Sequence, residues 1–387
     1  MKARLCTVLL YAAYIIELIT ALIDKSELHN TYESYIFRLT FAMTLAVVLL
    51  SDHTKRGWLL ILCGCVLGII SYRMTGRNEF LRMFIFAAAC AGQSKGRMLK
   101  TAFYVTTAGC LLIVLLSAFG IFGARALTAV FRVSDGIATR YCFGFGHPNA
   151  LHAMFCMLVL LGLVIYDERV RWWHLVLLLA ADLGVYLLTD SRTGVALTAA
   201  GILMAGLSKT VRKQNWFYAA GAALIAACIA FSVWAAACSE LIGYPPRGRL
   251  IRFLNGILSD RIAELYWVLP SERADITAWT LFSSPAAQRY FDMGWCRLFY
   301  WYGIVPALVV LGVMYAAVWR CSKKRDASLL VYLVSVSVYT VVEAHLVSVY
   351  IGRNYLLPIL GILFAEWCRE KETKMVGLSS LTGGKKR

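Results

Sequence analysis

Three short stretches carry residue types that can do chemistry, each against an apolar background. The first, RYCFGFGHPNALH, occupies residues 140–152. Pro148 suits the first turn of a helix, where its missing N–H would have been unpaired anyway, so His147 takes the capping position. Arg140, His147 and Asn149 are then expected at a helix mouth, where free N–H groups favour an anion. The second, TDSRTG, occupies residues 189–194. Asp190 is close enough to hold Arg192, and Ser191 or Thr193 can cap the next helix. The third, VVEAHLVSVYIGRN, occupies residues 341–354. On a continuous helix Glu343 and His345 would point about 200° apart, whereas Tyr339, Glu343 and Tyr350 share a face. Glu343 is a candidate general base whose pKa burial would raise, with a structural pair to Arg353 as the alternative. Glu17 and Asp182 read as hydrogen-bonding glue between helices. His147 and His152 lie about 140° apart on a helix and cannot both face one ion, so no metal site is expected.

These residues need elements to hold them. The chain has 387 residues, 60% hydrophobic and 16% charged, with a mean hydropathy of +0.67. A soluble globule could not hide that much apolar surface in one core. The expected fold class is all-α: a polytopic transmembrane helix bundle, a single integral membrane domain over residues 1–387. Runs long enough to cross a hydrocarbon core number about twelve, from 5–23 to 354–368, and include 294–319 and 328–348. Four are short, so a re-entrant segment would lower the number. The first run lacks a small-residue cleavage site and reads as a retained helix. The twelve cysteines lack CxxC spacing and read as free thiols.

Loop charge sets the orientation. Taking alternate loops as cytoplasmic places 22 of the 39 basic residues there, twelve of them lysine, and puts both termini in the cytoplasm. The seventeen others are sixteen arginines and Lys25. Sorting by charge does not prefer guanidinium over ammonium, but a planar fork suits carboxylate and phosphate oxygens. The bias implies an outward cavity for a phosphorylated substrate; codon bias with snorkelling arginines is the plainer account. One outer loop, residues 238–293, is far longer than the rest. Leu250, Phe253, Leu254, Ile257, Leu258 and Leu265 recur there at helical spacing, predicting an amphipathic helix on the membrane surface or over the bundle. Arg261 falls within its apolar stripe and Arg249 and Arg252 off it, so Arg261 needs a partner: Glu264 or a substrate anion.

GFGHPN, TDSRTG, LNGILSDRIAE in the long loop, FDMGWCRLFYWYGI and EAHLVSVYIGRNYLL together resemble, in content and order, the O-antigen polymerase and O-antigen ligase family of bacterial membrane glycosyltransferases. The resemblance covers roughly residues 140–357; HPN and SRTG are its most specific parts. It implies a metal-independent, cofactor-free transferase of the bacterial cytoplasmic membrane, acting at the outer leaflet on an undecaprenyl-pyrophosphate-linked oligosaccharide. Arg140, Arg192 and Arg261 would bind the pyrophosphate, with Arg249, Arg252 and Arg353 as further candidates and Asn149, Asp190 and Ser191 in support. Glu343, then His345 and His147, are the candidate bases. Tyr266, Trp267, Trp279 and Tyr290 would stack on sugars. Implied partners are membrane lipids, a flippase and a chain-length regulator; nucleic acid is not among them. A polymerase is the first expectation and a ligase the second. A lipid-linked saccharide transporter is the reading from another class, disfavoured by the absence of similarity between the two halves.

Overall fold

The computed structural model describes residues 1–132, 136–347 and 351–383. Lipid offers no water to backbone groups, so long apolar runs close their hydrogen bonds internally as helices. The chain opens with α1 (Lys2–Asp24), α2 (Glu33–Leu50), α3 (Lys55–Thr75), the short α4 (Glu79–Ala89) and α5 (Lys95–Ala118). A hairpin of β1 (Ala126–Arg132) and β2 (Gly136–Tyr141) follows, then α6 (Pro148–Ile165), α7 (Trp172–Thr189), α8 (Arg192–Val211) and α9 (Asn215–Cys238). The long loop carries α10 (Arg249–Ile257) and α11 (Ala263–Tyr266), and α12 (Gly294–Tyr302), α13 (Ile304–Lys324), α14 (Ala327–Tyr339) and α15 (Ile351–Gly383) complete the order. Among the described residues nine helices are long and apolar enough to cross a membrane. The protein is therefore a predominantly helical membrane protein. Helices α4 and α14 are apolar but shorter, with eleven and thirteen residues.

Four expectations change. The run 294–319 is not one span, because the chain breaks at Gly303 between α12 and α13. The run 328–348 stops being helical at Tyr339, and residues 340–347 form an irregular turn. That turn removes the continuous helix on which Glu343 and His345 were placed about 200° apart, and Tyr350 lies outside the described residues. The amphipathic segment of the long loop is two short helices, not one; the turn between them carries Arg261. Finally, residues 126–132 and 136–141 pair as two antiparallel strands, with Leu127 opposite Arg140 and Thr128 opposite Thr139.

Helix α14 forms the centre. Nearly every residue along it is buried, as a helix apolar on all sides requires, and it packs on α6, α8, α9 and α13. Asp326 caps its start by accepting from the Leu329 N–H at 3.2 Å. Both ends of the bundle are marked by polar contacts. Lys95 pairs with Asp326, and Arg320 and Lys324 with Glu366, at what we call the basic end. At the opposite, loop end, Ile304 and Val305 N–H groups donate to the Thr280 and Leu281 carbonyls at 2.9 and 3.0 Å. Arg77 adds a bond to the Ala287 carbonyl at 2.9 Å and stacks on Trp301 at 4.0 Å. The long loop is thereby pinned over the bundle.

Candidate functional site

The hairpin, the start of α6 and the turn from α7 to α8 meet at the loop end. Arg140, on β2 and 5% exposed, pairs with Asp190 at 2.6 Å and lies 4.4 Å over the Phe131 ring. The same ring meets His147 edge-on, with centroids 5.7 Å apart. His147 occupies the N-cap of α6, and its Nδ1 accepts from the Asn149 N–H at 3.1 Å. That contact places the proton of the neutral ring on Nε2, making the outer nitrogen a donor. Desolvation lowers the His147 pKa; Asp292 pulls it up while Arg140 and Arg261 push it down. These four side chains therefore share one electrostatic neighbourhood.

In the TDSRTG turn the Asp190 carboxylate meets the Arg140 guanidinium, and Arg192 lies exposed on the first turn of α8. Ser191 occupies the N-cap of α8, but its side chain does not make the capping hydrogen bond. Behind the turn lies a network the sequence reading did not assemble. His152 Nδ1 meets Thr189 Oγ1 at 3.1 Å and its Nε2 meets Asp182 Oδ1 at 2.9 Å. Asp182 and Thr189 lie seven residues apart, on one face of α7, and that spacing was the signal available. The network ties α6 to α7, and Gly194 explains its fit: a Cβ there would stand 2.6 Å from the His152 ring.

The long loop supplies the other half. Arg261, 8% exposed, reaches Glu343 Oε1 and Asp292 Oδ2, both at 3.2 Å. Its carboxylate partners are thus Glu343 and Asp292 rather than Glu264, and Glu343 pairs with Arg261 rather than Arg353. Asp292 escaped the sequence reading, although an acid just before the fully buried α12 was there to be seen. His345 is fully buried and meets the Tyr339 ring edge-on, with centroids 4.2 Å apart.

Two groups of candidates stand apart. Arg249 is exposed and Arg252 half-buried on α10, and among the described residues neither is paired with a carboxylate. Arg353, 4% exposed, joins a second polar cluster between α1, α2, α4 and α15. There Glu17 accepts from Thr40 at 2.5 Å and from Arg82 at 3.1 Å, and Asn354 donates to the Glu17 carbonyl at 3.1 Å. The carboxylate of Glu17 offsets the cost of burying the Arg82 charge.

The aromatics suggested for sugar stacking are committed within the loop on at least one side. Tyr266 is covered by Arg273 at 3.8 Å, Tyr290 by Arg297 at 3.5 Å and Trp279 by Phe299 at 4.7 Å, while Trp267 Nε1 donates to the Ser239 carbonyl. Among the described residues no three His, Cys, Asp or Glu side chains gather to hold a metal ion. What the loop end offers is a group of arginines, a histidine donor and carboxylates, suited to holding an oxyanion beside a base. Comparison with known protein families, curated proteins and solved structures finds no match to this chain.

Proposed function

We propose that the chain is a membrane polysaccharide polymerase that joins undecaprenyl-pyrophosphate-linked oligosaccharide repeat units at the outer face of a bacterial cytoplasmic membrane, with the loop end outside. The observation that supports this most is the convergence of Arg140, His147 and Arg261 with Asp190, Asp292 and Glu343 at the loop end. In this reading Glu343 takes the proton of the acceptor hydroxyl, and the freed oxygen attacks the anomeric carbon of the donor sugar. The bond from that carbon to the diphosphate oxygen breaks, and lipid diphosphate leaves with the bonding electrons and one more negative charge. Arg140, Arg192 and Arg261 stabilise that charge, with His147 donating from Nε2, because fixed donors aimed at developing charge need no reorganisation as it forms.

Reconstitution in lipid with the native lipid-linked repeat unit tests the reading by electrophoresis. A ladder of lengths is expected from the unaltered chain, and Arg192→Ala should lower its rate at least a hundredfold, the usual cost of losing one such donor being about 10²–10³. Folded protein that yields no ladder but transfers the glycan once to another acceptor would make it a ligase.

A further inference from the structure

The aim of Arg261 is fixed by its backbone. It leaves the turn between α10 and α11 just after Ser259 and Asp260, which adopt left-handed conformations at φ 53° and 64°. Non-glycine residues stay there only when their surroundings impose it. Asn255 does so: its Nδ2 donates to Asp260 Oδ1 at 2.7 Å and its Oδ1 accepts from the Ala263 N–H at 2.8 Å. Once aimed, the guanidinium is only partly satisfied by protein. Nη1 donates to the Leu258 carbonyl at 3.2 Å, Nη2 is shared by the Glu343 and Asp292 carboxylates, and the buried Nε has no protein acceptor. One nitrogen serving two carboxylates, each beyond the roughly 2.7–2.9 Å of a strong charge-assisted bond, is a loose pairing. The two acids also differ. The Asp292 side chain is 35% exposed and Glu343 only 13%, so Asp292 can return to water at little cost while Glu343 stays in place.

We infer that Asp292 is an internal stand-in for the substrate anion: it holds Arg261 in the empty site and is displaced by the incoming diphosphate. The identity of the ligand rests on the glycosyl-transfer reading; the exchange itself rests on the Arg261 geometry. The device sets a threshold. A monocarboxylate replaces Asp292 with its chemical equal and gains little, whereas a diphosphate presents oxygens to Nη2 and Nε together and has charge left for Arg140. Asp292 is then a residue of specificity, selecting multiply charged oxyanions, and its departure leaves Glu343 as the carboxylate beside the reacting oxygen.

Calorimetric binding of inorganic pyrophosphate to the full chain in lipid nanodiscs tests this, with acetate as the comparison. If Asp292 occupies Arg261 nine-tenths of the time, Asp292→Asn should bind pyrophosphate about tenfold more tightly. Arg261→Lys, which keeps a charge for the two acids, should weaken binding and cancel the effect of Asp292→Asn in the double variant. Unchanged or weaker binding by both Asp292→Asn and Asp292→Ser, at unchanged thermal stability, would overturn the inference. Tighter pyrophosphate binding without a product ladder would leave the exchange standing and remove the polymerase reading. A ladder with unchanged pyrophosphate binding would do the reverse.

Discussion

Arg140 meets Asp190 through its charge and Phe131 through its flat face, and stacking of guanidinium on aromatic ring recurs in the molecule. Arg77 lies on Trp301, Arg82 on Phe37, Arg273 on Tyr266 and Arg297 on Tyr290. A guanidinium can stack while donating in its plane, which an ammonium cannot. Part of the arginine preference thus follows from folding the loop, and only Arg140, Arg192 and Arg261 remain for the anion in our reading. The sharpest residue-scale demand belongs to Gly194. Adding a methyl 2.6 Å from a His152 ring already held by Thr189 and Asp182 is overpacking, which costs about 1–3 kcal/mol. Gly194→Ala should therefore melt earlier in detergent, whereas Gly312→Ala, with open space around it, should not. SRTG was legible as a motif, but the reason for its glycine was not, because the ring it accommodates comes from another helix.

Among the elements, the helices were legible from apolar run length and their interruptions were not. Residues 328–348 contain neither proline nor glycine, so composition reads one span through the place where α14 ends. The turn between α10 and α11 was hidden for a related reason: Ser259 and Asp260 hold left-handed backbone without being glycine. The hairpin strands, of seven and six residues, are too short for alternation to stand out beside long apolar runs. Gly303 is the hinge on which the loop depends. Its φ of 91° and the Leu281 carbonyl 2.7 Å from where a Cβ would sit leave no room for a side chain. Gly303→Ala should detach residues 280–283 from the α12–α13 junction, read as faster proteolysis within the long loop while the helical content is kept.

At the scale of the whole molecule, orientation is the claim on which the functional reading depends. Ser271 is exposed in the long loop and Lys213 is exposed at the basic end. In a cysteine-free background, an impermeant maleimide should label Ser271→Cys in intact cells and Lys213→Cys only after permeabilisation. The opposite pattern would place the site inside the cell and end the polymerase reading. The stub of α14 has a further consequence. Its thirteen residues rise about 20 Å; in our reading, with its start at the basic edge of a hydrocarbon core of about 30 Å, Glu343 stands roughly 10 Å below the far edge. The proton that Glu343 takes from the acceptor hydroxyl and then releases to the outside would cross only about a third of the transmembrane voltage, worth roughly 0.8 kcal/mol per 100 mV. In this geometry the transfer is nearly uncoupled from the cell's electrical potential, so glycan growth would continue in a membrane that has lost its charge.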